Sequence, residues 1–234
     1  MLLSKPPSHG VSFVCELDAA TAPAKTNLMS EFQEAVKKRF AGHEQRIYFE
    51  QVSATRVRIV TGTMDAHGIF EAKNLLTKRG LLQFRLVHDD SEKLLEDNVV
   101  PIGYEILSHN VEGGGKPGKA EKVLVRIRAG AGLSGDLIQR ASVSRDRVGM
   151  PQIMIRLNPQ ATAAFAKATR ENVGRRLAIV VDGQLMTAPR INSPIEGGSA
   201  VIEGNYSLTE ASDLARALEA PLPVQATILE ANSY

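Results

Sequence analysis

The sequence predicts an α+β protein in two parts, a ferredoxin-like (split βαβ) unit followed by a second α+β unit. Three observations predict it. Over the first hundred residues, apolar patterns of period 2 and period 3.6 follow in the order strand, helix, strand, strand, helix, strand. Residues 89–122 then break the pattern with an acidic stretch, a short extended piece and a glycine-rich loop. Beyond them strands and helices alternate again around Asp182-Gly183, the clearest hairpin signal in the chain.

Residues 11–17, VSFVCEL, put Val11, Phe13, Cys15 and Leu17 on one face of a strand. The one cysteine therefore reads as a small core residue and not as a reactive thiol. In TNLMSEFQEAVKKRFAG, residues Leu28, Phe32, Ala35, Val36 and Phe40 share a helical face, with Gly42 as the stop. RIYFEQV and RVRIV read as a strand pair. The next helix opens on Asp65 and closes on Gly80, with Lys78 and Arg79 at its negative end. LLQFRLV, with Leu82, Phe84 and Leu86 in phase, is read as the fourth strand of the first unit.

After the break, KVLVRIR reads as a strand and SGDLIQRA as a short helix. PQIMIRL alternates through Ile153, Ile155 and Leu157. The following helix has Asn158 as its cap, Pro159 in its first turn and Gly174 at its far end. RRLAIVVDGQLMTA is a buried strand, a tight turn and a return strand, and SAVIEG is a further strand. SLTEASDLARALEA opens on a capping box, Ser207 with Glu210. PLPVQATILE is extended.

Composition excludes several classes. With 43% apolar and 23% charged residues the chain is an ordinary globular sequence, not a disordered one. A formal charge of +2, no Trp and four Tyr argue against nucleic acid as a partner. The longest apolar run, Leu177 to Val181, is far below the roughly 20 residues that cross a bilayer, and MLLSKPPSHG lacks a signal-peptide core. The chain is accordingly expected to be a soluble piece.

Residues 112–120, EGGGKPGKA, carry the Gly-x4-Gly-Lys spacing of a phosphate loop from Gly113. A strand follows it instead of a helix, Ala120 stands where a metal-binding hydroxyl is required, and Pro117 removes one donor, so a surface loop is the reading taken. The five histidines, His9, His43, His67, His88 and His109, show no metal-ligand spacing, and no nucleophile elbow is present. Arg170 to Arg176 reads as cations complementing a helix C-terminus rather than as an anion clamp. Of Met150, Met154 and Met186, at least two are expected in the core rather than on an adaptable binding surface. No catalytic, metal or cofactor residue is expected.

The stretch NVGRRLAIVVDGQLMTAPRINSPIEGGSAVIEGNYSLTEASDLARAL resembles the most recognisable segment of the SecD family, accessory subunits of the bacterial preprotein translocase. The matching positions are Gly174, Leu177 to Gly183, Ala188-Pro189, Ile191, Pro194-Ile195, Gly197-Gly198, Ile202, Gly204 and the helix from Glu210. RVRIV, GLLQFRLV and LSGDLIQRASVSRD also resemble family segments, so the likeness covers most of residues 35 to 230. Two segments depart from the pattern: SHGVSFVCELD replaces the family's glycine-rich opening motif, and LEAPLP replaces RAGALP.

The resemblance implies an extracytoplasmic (periplasmic) domain with a base, expected over residues 1–100 and 221–234, and a mobile head over 101–220. It implies unfolded preprotein as the ligand, SecF, SecYEG and YajC as partners, and proton-carrying residues that lie in membrane helices outside this chain. Hinges are expected at Pro101, Ile102, Gly103 and Leu107 and at Pro221, Leu222 and Pro223, where prolines stiffen both connections. Preprotein contacts are expected at the loops of Met150 and Pro151 and of Ile195, Gly197 and Gly198. The isolated piece is expected to be monomeric. The alternative is a static periplasmic interaction scaffold without head movement.

Overall fold

The computed structural model describes residues 6–21, 27–41, 47–108 and 121–234, and these divide into two compact units. The first comprises the chain up to Gly80 together with Ala220–Tyr234, and the second is Leu81–Glu219.

The first unit is a ferredoxin-like fold. Its elements are β1 (Val11–Leu17), α1 (Leu28–Arg39), β2 (Tyr48–Gln51), β3 (Arg56–Thr61), α2 (Ala66–Thr77) and, from the far end of the chain, β13 (Ala226–Ser233). The strands form one antiparallel sheet in the order β13-β1-β3-β2. The expected in-phase set Val11, Phe13, Cys15 and Leu17 is buried, at 2%, 0%, 0% and 1% exposure. It packs with Phe32 and Val36 of α1, Leu75 and Leu76 of α2, and Leu222 and Val224 ahead of β13. Both helices start where the capping residues stand: Asn27 Oδ1 accepts the Ser30 N–H, and Asp65 Oδ1 accepts that of Gly68.

The sequence reading of the fourth strand is corrected here. Leu82–Leu86 does not complete this sheet; β13 does, paired with β1 from Val11↔Ser233 to Leu17↔Ala226. Alternation fixes that a segment is a strand and which of its faces is apolar, but carries no address for its partner. The second unit is in effect an insertion between α2 and the last strand. Its boundaries are Gly80–Leu81 and Glu219–Ala220, so the expected division near residue 100 falls inside it.

The second unit contains β4 (Leu82–Leu86), α3 (Ser91–Glu96), β5 (Tyr104–Ser108), β6 (Lys122–Arg126), β7 (Ser134–Gly135), β8 (Ile138–Arg145), β9 (Pro151–Leu157), α4 (Pro159–Glu171), β10 (Leu177–Val181), β11 (Gln184–Thr187), β12 (Ser199–Ile202) and α5 (Leu208–Glu219). Three sheets result, β11-β10-β4-β7, β12-β9-β8 and β5-β6. Strand β10 is buried along its whole length. Leu177, Ile179 and Val181 face one core, with Phe84 and Phe165 in contact at 4.6 Å between ring centroids. Ala178 and Val180 face another, with Val123, Val125 and Leu185. A strand covered on both faces reads as an unbroken apolar run, which is the origin of LAIVV.

The turn after β10 is of the primed type, with φ of 50° at Asp182 and 78° at Gly183. Asn158 caps α4 through the Ala161 N–H, and Ser207 and Glu210 exchange the two bonds of a capping box. Two local readings fail. SGDLIQRA is not a helix but β7 and the start of β8, an edge strand that pairs with β9 and carries a bulge between Ile138 and Arg140. The bulge shifts the apolar spacing from Ile138 to Ala141, which imitates a helical step. The acidic stretch after His88 holds a short helix, α3.

Candidate functional site

Leu86 and Phe84 on β4, Leu177 on β10, Leu133, and Ala164 and Ala168 on α4 form the apolar floor of a cleft of about 1060 Å³ in the second unit. The segment between β6 and β7, which makes no ladder over residues 127–133, forms one wall with Arg126, Ile127, Arg128 and Ala129. Lys167 and Glu171 of α4, with its C-cap Asn172 and Arg175 beyond it, form the other. Chain placement explains each wall. Buried Arg85 on β4 donates through Nε to the Arg126 carbonyl at 2.6 Å, and through Nη2 to the Ile127 carbonyl and to Glu105. This holds the end of β6 against β4, so that Ile127 stands 52% exposed at the cleft.

Arg175 donates to Asp89 at 2.7 Å and to Asn172 at 2.9 Å, and Arg176 pairs with Glu121 while donating to the Ala188 carbonyl. Arg170 pairs with Glu196. Of the cluster at 170–176 only Arg170 stands in the last turn of α4, as cations complementing the helix end would; Arg175 and Arg176 lie beyond the helix and fasten loops instead.

The expected contact loops are not brought together. Met150, 40% exposed, and Pro151 stand at one end of β9; Gly198 stands at the other, its carbonyl accepting the Leu157 N–H. With six steps of strand between them, they are about 20 Å apart. Ile195 is partly buried, its N–H held by Thr169 Oγ1, and Gly197 is exposed. Gly198 is buried with φ 61°, and a Cβ there would lie 2.1 Å from Thr162 Oγ1, so the glycine serves packing against α4. The methionine reading is corrected too: Met150 and Met154 are exposed at 40% and 46%, and Met186 alone packs against the core.

Of the expected hinge residues, Pro101, Ile102, Gly103 and Leu107 lie within the second unit, where Gly103 borders the cleft and Leu107 packs against a core. Pro221 adjoins the Glu219–Ala220 passage, Leu222 is buried in the first unit, and Pro223 accepts a bond from Arg79. Reasoning from sequence missed Arg39. Its side chain is fully buried, and its Nε donates to the Ala220 carbonyl at 2.7 Å. Its Nη atoms donate to the carbonyls of Leu75, Lys78 and Arg79. One guanidinium thus gathers the end of α2 and the returning chain at the edge of the first unit, where the Leu222 N–H also donates to Arg79. Its only sequence signal is a cation inside a helix's apolar face, three residues after Val36 and four after Ala35.

No group of acids, histidines and cysteines able to hold a metal occurs among the described residues. His67 lies beside Glu71 and His88 meets Tyr104 edge to face, in different units. His43, His109, Gly42 and the glycine loop at 112–120 lie outside the described residues. Among the described residues no helix is long and apolar enough to cross a membrane.

The comparisons with known proteins converge. A family model described as SecDF, P1 head subdomain, matches residues 106–224, just over half of the 234-residue chain. Protein translocase subunit SecD of Leptotrichia buccalis is 48% identical over 99 residues, 42% of this chain and 24% of that protein. The SecD subunit of Rickettsia felis is 34% identical over 165 residues, 69% of this chain and 30% of that protein. The chain thus spans about a quarter to a third of the length of these relatives. A crystal structure of SecDF in a super-membrane-facing form superposes with a TM-score of 0.72 at 26% identity, over 96% of this chain and 30% of that one. A second solved chain, described as part of a membrane component SecDF that enhances protein export, superposes at 0.68 with 25% identity, over 94% of this chain and 98% of that one.

Proposed function

The chain belongs to the SecDF P1 head subdomain family, and from that premise we propose that it works on the extracytoplasmic side of a SecD-like translocase subunit, engaging unfolded preprotein as it emerges. In this reading SecF, SecYEG and YajC are the partners, the work is export driven by the proton gradient, and this part performs no chemistry of its own. The second unit moves as a rigid head on the first, turning about the two passages at Gly80–Leu81 and Glu219–Ala220. The observation that carries the reading is this division into two compact units through which the chain passes only twice among the described residues.

Preprotein contact is assigned to the cleft of the second unit, not to the loops of Met150–Pro151 and Ile195–Gly198. The cleft offers a continuous apolar floor to any extended segment, whereas those loops are separated by the length of β9. Binding through apolar contact and main chain, with little sequence demand, suits a client that is unfolded.

Spin labels on exposed Gln51 in the first unit and Val148 in the second test the motion. A broad or two-peaked distance distribution that shifts on adding an unfolded client is expected. One narrow distribution, the same with and without client, would establish the static scaffold instead.

A further inference from the structure

Charge around the cleft is uneven. Its lining carries four cations, Arg126, Arg128, Lys167 and Arg175, and one carboxylate, Glu171, giving 4 − 1 = +3 against +2 for the whole chain. Asp89 answers Arg175 at 2.7 Å, and among the described residues the Arg126 side chain reaches only the Tyr104 hydroxyl, at 3.4 Å. Among the described residues Arg128 and Lys167 have no anionic partner. They face the cleft from its two walls, above a floor of Phe84, Leu86 and Leu177. An apolar floor under a cationic rim has a matching ligand. An extended chain with apolar side chains on one side and carboxylates on the other meets both at once, because its side chains alternate every residue.

We propose that the cleft selects acidic, apolar-alternating extended segments of polypeptide and disfavours basic ones. The inference rests on the capture reading above and names the class of segment captured. Each exposed ion pair contributes little alone, but two or three made over a partly water-excluded floor amount to about a tenfold preference.

Three unstructured, fluorescein-labelled peptides test it, sharing their apolar residues and carrying Glu, Gln or Lys at the alternate positions. Fluorescence anisotropy against the intact chain is expected to rank Glu over Gln over Lys, with about a tenfold step at low salt that shrinks in 0.5 M salt. The surface variant Arg128→Glu with Lys167→Glu is expected to reverse the order. Equal affinity for all three peptides would overturn the charge selection while leaving capture standing. The same order in the reversed variant would overturn it for this cleft, placing the attraction elsewhere on the surface. If no peptide bound, the capture reading would fall and this inference with it.

Discussion

Arg39 keeps its charge without access to water, because four carbonyl dipoles surround the guanidinium. Removing it takes a donor from each of those carbonyls, of which Arg79's keeps the Leu222 N–H, at a cost of about 1–3 kcal/mol for each one left unpaired less whatever water repairs. Arg39→Met is therefore expected to cost the first unit about 3–5 kcal/mol, and Arg39→Lys less, as read from urea unfolding of each. Equal stability in Arg39→Met would show that the guanidinium holds nothing. Cys15 makes a second residue-level prediction. Burial pushes its thiol from 9.0 up to about 12, so in the native protein it stays protonated and a thiol reagent at pH 8 is expected to leave it untouched until denaturant is added. The sign follows for stability. Above pH 9 the unfolded thiol ionises and the folded one does not, so this contribution declines as pH rises from 9 towards 12. Gly198→Ala joins an unfavourable φ to a clash with Thr162, and a loss of about 1–3 kcal/mol is expected, confined to the second unit.

At the scale of elements, what the sequence makes legible is short-range grammar. Asp65, Asn158 and the Ser207–Glu210 box each mark a helix start because a polar side chain must meet an orphan N–H within three residues. Ser207→Ala is expected to cost about 1 kcal/mol of thermal stability, and an unchanged melting temperature would remove the box from the account. The turn at Asp182-Gly183 is equally local, and its Asp carries an additional bond, accepting the Leu81 N–H at 2.7 Å. Long-range choices are not legible in this way. Leu82–Leu86 and Ala226–Ser233 are both amphipathic enough to complete the first sheet, and only the packing of Leu82 and Phe84 against Phe165 and Leu177 decides between them. The cleft is illegible for the same reason. Its lining comes from five separate stretches of chain, 84–86, 103, 126–133, 164–172 and 175–177, none forming a motif. Met154, by contrast, is out of phase with Ile153, Ile155 and Leu157, so the period of β9 itself puts it on the open face, against the core role expected of it.

For the whole molecule, apolar periodicity supplied the idea of two parts and the resemblance to SecD that of a base and a head, and the structure shows where the chain passes between the two units, at Gly80–Leu81 and Glu219–Ala220. The 139 residues of the second unit stand between α2 and the strand that completes the first, counting Leu81 to Glu219 inclusive. This ordering constrains how the protein is made. On the ribosome β1 emerges early, with Cys15, Glu16 and Leu17 waiting for Ile228, Thr227 and Ala226, which are made only after the whole inserted unit. The inserted unit closes on contacts within itself and is free to fold first, whereas the earlier-made sheet keeps an open edge until the last strand arrives. A nascent chain halted after Glu219 should thus hold a protease-resistant core spanning residues 81–219 beside an N-terminal portion that is still digestible. Protection of both portions in that arrested chain would mean that β1 needs no closing partner, and that birth order leaves no mark on assembly.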